Sequence, residues 1–350
     1  MYTVRDEIKN DDKRPQYVCG LFQEQARKDG KHMKYLFFDI ECSVVSKFVA
    51  KICAFGYCLT DEQFNIIEKE DILINPQGGF HLTDRKGTQG LVLPYEYSDF
   101  KKYPTFLEKA DKIYALLEDK DTLVAGHATM NDVKYLNFES KRFELRSFAF
   151  DFADTQFVYM NRVADFSRQF GLGSIAQELG VEFTAHRAVD DAYATMKIAE
   201  AMCKAENCSF PALIEKYQIT LGHIENYEIT QTSSVEQIVY KQEQERKREE
   251  REKRKAAFHI FADREKRKRA KDGKLKNKSV CFSHPLEMDL PVAKRLLSAA
   301  FAQAAFFTTR AEECDVYVCY ENEGGARLKS AQAKARVFTP EQFEEYLQKE

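Results

Sequence analysis

The chain contains no tryptophan, and none of its apolar runs approaches the roughly 18 to 20 residues that a membrane span requires. The charged start, MYTVRDEIKNDDKR, holds no apolar core of the kind a secretory leader carries. These absences lead us to expect a cytoplasmic protein with no membrane partner. Its nine cysteines are odd in number and scattered, with no C-x-x-C pair, and neither Cys53/Cys58 nor Cys203/Cys208 has histidines at ligand spacing. That pattern favours reduced thiols, mostly in the core, over disulfides or a zinc site. At 350 residues, 44% of them hydrophobic, the chain is long enough for two domains.

The net charge of −3 is unevenly spread. Residues 241–278 hold 17 Lys and Arg against 8 Asp and Glu, a surplus of +9, which leaves −12 on the remainder. The stretch reads as a helix with Glu to Lys/Arg pairs four residues apart, such as Glu243/Lys247, Glu249/Lys253 and Glu250/Arg254. It lacks an a/d apolar seam, which argues against a coiled coil. A solvated spacer and a phosphate-contacting arm both fit it.

Acids stand where their surroundings argue against them. In YLFFDIEC, Asp39 and Glu41 end what reads as a buried strand, two residues apart and therefore on one face. Two desolvated carboxylates side by side call for a cation, and hard oxygen donors suit Mg²⁺ or Mn²⁺; a solvated strand edge is the plainer alternative. In HRAVDDAYATMKIAEAM, Ala188, Ala194, Thr195, Ile198, Ala199 and Met202 form an apolar stripe that Asp191 interrupts, whereas Asp190 shares a mixed face with Tyr193 and Lys197. His186 lies five residues before Asp191, in a loop or first turn. Asp132 follows the apolar run Leu123 to Ala125 at a helix start, where an Asp also serves as an N-cap.

The order D-x-E, then Asp in an H-x-x-x-N-D setting, then H-x-A-x-x-D-A resembles the DEDDh family of 3′–5′ exonucleases, the group of the bacterial proofreading epsilon subunit and the PolC exonuclease domain. The resemblance covers about residues 33–205. It takes in a hairpin at Ile52 to Leu59 and Ile66 to Asn75, a helical stretch near Phe106 to Leu117, and the FADT segment around Asp154 followed by GLGSIAQELGV. It implies that Asp39, Glu41, Asp132 and Asp191 hold two Mg²⁺ or Mn²⁺ ions and that His186 is the general base; His127, which also neighbours a motif acid, is the alternative base. Cys42 and Ser43 replace the family's usual Thr and small residue after the first Glu. His127, Ala128 and Asn131 stand where the second motif reads H-N-x-x-F. Cys42, Ser43 and His127 are accordingly expected as substrate contacts.

From Lys274 onward the pattern reads strand, helix, strand, strand, helix, strand, helix, with Thr339 and Pro340 opening the last helix. This order is similar to a BRCT domain, with Gln303 and Ala304 in place of the usual glycine pair and Phe343 in place of the usual Trp. Ser283 and Lys329 fall where phosphate-binding members hold a phosphate, although both residue types are common at such element ends. We therefore expect an α/β protein: an N-terminal extension (1–32), an RNase H-like exonuclease domain with a central mixed sheet (33–210), a helical, basic linker (211–273) and a small α/β BRCT-like domain (274–350). The expected activity is metal-dependent 3′–5′ hydrolysis of single-stranded or frayed 3′ ends to nucleoside 5′-monophosphates in replication or repair. DNA is favoured over RNA by association with the tail, which is also a candidate surface for a protein partner. An exoribonuclease and a non-catalytic nucleic-acid-binding adaptor stay open.

Overall fold

The computed structural model describes residues 33–78, 97–182 and 187–349. It divides into two units, the first running to Tyr240 and the second starting at Lys241. No helix among the described residues is long and apolar enough to cross a membrane.

In the first unit, alternation along β1 (Lys34–Val45) sends Tyr35 and Phe37 to one side of the sheet and Leu36, Phe38 and Ile40 to the other. β2 (Ala50–Thr60) and β3 (Ile66–Leu73) fold back antiparallel on it, as the expected hairpin. α1 (Phe106–Leu117) starts where the Glu108 carboxylate accepts from the Thr105 amide at 2.7 Å. β4 (Thr122–Gly126), α2 (Met130–Arg142), β5 (Phe150–Asp154), α3 (Thr155–Arg162), α4 (Leu172–Glu178), α5 (Ala188–Glu206) and α6 (Phe210–Lys216) follow.

After α6 come β6 (Ile219–Thr220), β7 (Gly222–Glu225), β8 (Glu228–Thr230), β9 (Ser233–Ser234) and α7 (Val235–Glu265). The main sheet has the order β3-β2-β1-β4-β5-β7-β8, with β1, β4 and β5 parallel and antiparallel strands on both flanks. Residues of α3, α5 and α6 cover one face around Tyr35 and Phe37. Those of α1 and α2 cover the other around Leu36 and Phe38. This is the α/β architecture with a central mixed sheet expected from the sequence.

The sheet extends past the expected boundary at 210. Residues 219–234 form strands, and β7 pairs with β5, where 211–273 had been read as a helical linker. Gly222 permits this pairing, because a Cβ there would lie 2.3 Å from the Phe152 ring. The helix of the basic stretch begins only at Val235.

The second unit contains most of α7 and then β10 (Ser279–Phe282), α8 (His284–Met288), α9 (Leu290–Ala302), β11 (Phe306–Phe307), β12 (Val316–Val318), α10 (Ala326–Gln332), β13 (Arg336–Phe338) and α11 (Pro340–Gln348). Its four strands are all parallel, in the order β11-β10-β12-β13. Thr339 caps α11 ahead of Pro340, as expected. Phe258 and Ala262 of α7 lie in the same apolar core as Val280, Phe282, Leu296, Phe301 and Phe343. The end of the charged helix is thus built into this unit.

Phe258→Ala is therefore expected to cost about 3–5 kcal/mol in the second unit. Hydrogen exchange would show it as lost amide protection across β10, β12 and α9 with the main sheet unaffected. Unchanged protection would mean that Phe258 is not a core residue.

Candidate active site

β1 presents Asp39 and Glu41 on the face that α5 covers, the side to which Tyr35 and Phe37 also point. Across the sheet Asp39 pairs with Gly56 of β2, and Gly56 pairs with Asp71 of β3. The glycine between the two acids lets the first turn of α5 rest on the strand. A Cβ at Gly56 would lie 2.1 Å from the carbonyl carbon of Ala188 and the amide nitrogen of Val189. Asp191 is carried on that turn, only 8% exposed. Ligand oxygens of Asp39, Glu41 and Asp191 lie within 4.8 Å of one another.

Arg187 secures the same turn. Its carbonyl accepts from the amides of Asp190 at 2.8 Å and Asp191 at 2.9 Å, and its Nε donates to Oδ2 of Asp71 at 3.2 Å. The positive end of the helix dipole thus sits beside the carboxylate row. Just past Glu41 the β1/β2 register shifts twice, at Glu41/Cys42 and at Cys42/Val44, a pair of irregularities of the kind that re-aim side chains next to sites.

Asp132 enters from the first turn of α2, 5% exposed, and its carboxylate accepts from the Ile40 amide. The 127–129 loop before α2 is held by Asp154, the last residue of β5. Oδ1 of Asp154 accepts from the amides of Ala128 (3.0 Å), Gln156 (3.0 Å) and Phe157 (3.4 Å), and Oδ2 from Thr129 (3.2 Å). Ala128 has a φ of 55°, a left-handed conformation that costs a residue with a Cβ roughly 1–2 kcal/mol. The bond from its amide to Asp154 offsets that cost.

His127 is locked in the same loop. Its Nε2 meets the Phe170 carbonyl at 3.0 Å and its Nδ1 the Thr155 hydroxyl at 3.0 Å. A carbonyl only accepts, so Nε2 carries the hydrogen, and Nδ1 faces the Thr155 hydroxyl, which also reaches the Gly126 carbonyl at 3.0 Å. Burial pulls the His127 pKa down to about 4, against the opposing effect of the Phe170 bond, so the ring is neutral. Neither nitrogen is left to take a proton from water.

The four acids line an open cleft of about 580 Å³, together with Ile40, His127, Asn131, Tyr135 and Leu172. Burial, then the carboxylates of Asp132, Glu41 and Asp191, hold Asp39 well above the usual range. Burial and the nearby Asp191 and Asp71 push Glu41 up to about 7. Asp132 is raised by burial and by Asp154 and Glu41. Such a set of crowded, hard oxygen donors fits Mg²⁺ or Mn²⁺, whose charge would offset the mutual repulsion.

The structure thus brings Asp39, Glu41, Asp132 and Asp191 into one cleft, while Asp190 turns away to pair with Lys69 at 3.5 Å. His186 lies outside the described residues. Cys42 and Ser43, expected against a terminal nucleotide, do not line the cleft. Strand alternation turns Cys42 into the opposite core with Ile40, and the buried Ser43 hydroxyl donates to the Lys51 carbonyl at 3.4 Å. His127 does line it, but with both nitrogens engaged. Gly56, Asp71, Arg187 and the anchoring role of Asp154 were not singled out from the sequence. A glycine inside a strand signals close backbone approach, which was the one available clue.

Residues 36–199 match the family model described as Exonuclease. No curated protein matches the chain. Among solved structures it is similar to a 3′-exonuclease solved in 3′-end-specific recognition of a histone mRNA stem-loop, with 14% identity and a TM-score of 0.44 over 58% of this chain and 92% of that one. The nuclease domain of 3′hExo, a DEDDh family member bound to rAMP, gives 16% identity and a TM-score of 0.41 over 51% and 94%. Product-bound exonuclease I gives 18% identity and a TM-score of 0.38 over 53% of this chain and 46% of that one.

Gly56→Ala should push the first turn of α5 off the sheet and weaken Mn²⁺ affinity about 10- to 100-fold, the range for changes that misplace ligands. Calorimetric titration would read it, and parental affinity in this variant would remove Gly56 from the account of the site. A second expectation concerns pH. Asp39, Glu41 and Asp132 bind protons more readily in the fold than in the unfolded chain, where such groups titrate near about 4. Their contribution favours the fold below about pH 4 and is lost as pH rises, for Glu41 through about 7. In EDTA the first unit should therefore melt lower at pH 8 than at pH 5, and Mg²⁺ or Mn²⁺ should raise the pH 8 value. A melting temperature at pH 8 that is insensitive to these ions would contradict the cation fit.

Proposed function

We propose that the exonuclease domain of this nuclease, whose α/β mixed sheet is RNase H-like, hydrolyses nucleic acid from the 3′ end and releases nucleoside 5′-monophosphates. The observation that carries the reading is the convergence of Asp39, Glu41 and Asp191, with oxygens within 4.8 Å of one another, beside Asp132 in the same cleft. These four residues would hold two divalent ions, and the chemistry supplied by such a pair is charge stabilisation at the attacking and leaving oxygens of a phosphodiester. The open cleft and its apolar wall of Tyr135 and Leu172 suit an unpaired terminal nucleotide, so single strands and frayed ends are the preferred substrates. His186 is assigned as general base from the H-x-A-x-x-D pattern. The engaged nitrogens of His127 support that choice over the alternative.

The all-parallel order β11-β10-β12-β13 supports a BRCT-like reading of the second unit, and with it a role in DNA replication or repair and a protein partner. Phosphate capture at Ser283 is disfavoured. Its hydroxyl donates to the Glu323 carboxylate at 2.8 Å, so an incoming phosphate would meet a like charge.

The test is digestion of 5′-labelled single-stranded DNA, RNA and mismatched duplex with Mg²⁺ or Mn²⁺ against EDTA. A ladder shortening from the unlabelled end supports the polarity, and the faster polymer assigns the substrate. Asp191→Asn should cost more than the roughly 100-fold upper range of changes around a ligand, and Asp190→Asn should keep near-parental rates. His186→Ala should cost roughly 10²- to 10⁴-fold and flatten the acid limb of the rate profile. If Asp190→Asn were dead and Asp191→Asn active, the assigned ligand set would be wrong.

A further inference from the structure

We propose that the second unit carries its own contact for single-stranded nucleic acid, a basic and aromatic surface centred on Lys266, Arg267, Lys271, Arg269 and Phe306. The proposal rests on reading the protein as a nuclease, but it concerns binding and not cleavage.

Residues 264–278 contain nine Lys and Arg against two acids, in a chain that is otherwise acidic. The segment is laid onto the end of α9 by its backbone. The Ala270 amide donates to the Phe301 carbonyl at 2.9 Å, the Leu275 amide to the Gln303 carbonyl at 2.8 Å, and the Lys274 amide to Gln303 Oε1 at 3.0 Å. Leu275 is buried beneath it. The backbone that carries these charges is therefore held in place.

Part of that charge is spent internally: Lys268 pairs with Glu265, Lys276 with Asp272 and Lys278 with Asp315. Among the described residues Arg264, Lys266, Arg267 and Lys271 are exposed and carry no ion pair. Complementing the negative end of α9 would account for one or two cations, but not for all four.

Planar faces lie beside these charges. The Arg269 guanidinium sits 3.9 Å from the ring centre of Phe306, which is 43% exposed on the edge strand β11. Lys274 and Arg336 approach the Tyr346 ring at 4.6 and 5.0 Å. Unpaired cations on an anchored backbone neutralise phosphates, and an aromatic ring backed by guanidinium stacks bases whatever their sequence. Together they fit a flexible single strand, whose bases are free to stack.

The test uses the full-length Asp191→Asn protein in EDTA, which silences cleavage. The probe is a fluorescent oligothymidylate of about 30 nucleotides, longer than the 4–16 that one binding module covers. Anisotropy is followed against KCl concentration. Combining Lys266→Glu, Arg267→Glu and Lys271→Glu should weaken binding at least roughly tenfold and reduce the salt slope by about 2, at about 0.7 per phosphate contact on single strands. Phe306→Ala should weaken it roughly fivefold or more through lost stacking, with a near-parental slope. Melting curves confirm that each variant is folded. With the active-site acids intact, the triple variant should hydrolyse a tetranucleotide at the parental rate, so a failure of the nuclease reading shows in the parent while the anisotropy still decides this proposal. Parental affinity and slope in the triple variant overturn it and leave the surface to an acidic protein partner.

Discussion

The first turn of α5 rests on β2 at Gly56, and the approach of Asp191 to Asp39 and Glu41 follows from that backbone contact. Helix and strand approach closely only where a side chain is missing, and Gly56 pairs with Asp39 on one side and Asp71 on the other. The turn that brings Asp191 thereby comes down between two carboxylates. Arg187 then neutralises one of them, leaving Asp39 to face Asp191 and Glu41. A larger residue at position 56 would lift the helix and spread the acids apart.

Clustering of this kind opposes folding, because each buried carboxylate raises the cost of ionising the next. Its opposition is carried by well-packed layers on both faces of the sheet, where Tyr35 and Phe37 on one side and Leu36 and Phe38 on the other are almost fully buried. Asp154 works in the same direction. One carboxylate gathers four amides and ties the end of β5 to the loop before α2, so the entry of Asp132 is set by hydrogen bonds that need no metal. The pattern is a site held under electrostatic strain by a rigid scaffold.

Much of this was legible in the sequence because it rests on short periods. The helical stripe through Ala188, Ala194 and Ile198 separated Asp191 from Asp190, and strand alternation put Asp39 and Glu41 on one face. In the second unit the strands and the helices Leu290–Ala302, Ala326–Gln332 and Pro340–Gln348 were readable, but the short helix His284–Met288 and the part of the charged helix around Phe258 that belongs to its core were not. The short strands at 219–234 were not, because two to four residues carry too little alternation and their pairing with β5 is non-local. Cys42 and Ser43 were misplaced by reasoning from motif position: strand alternation already turns Cys42 to the face of Ile40, and the buried Ser43 hydroxyl is taken by the Lys51 carbonyl. Likewise the Gly56, Asp71 and Arg187 arrangement joins three distant segments, and only the register between strands reveals it.

The sign of the cleft has a consequence for the order in which things arrive. A strand's phosphates are repelled by the cleft's carboxylates once these are ionised, which for Glu41 requires a pH above about 7, so a cleft without cations disfavours a polyanion as pH rises. Entry of the strand and entry of the cations are then thermodynamically linked: each raises the affinity for the other by the same factor. On the proposed two-ion reading, the cleft's occupancy follows the local supply of divalent ions as much as the supply of strands.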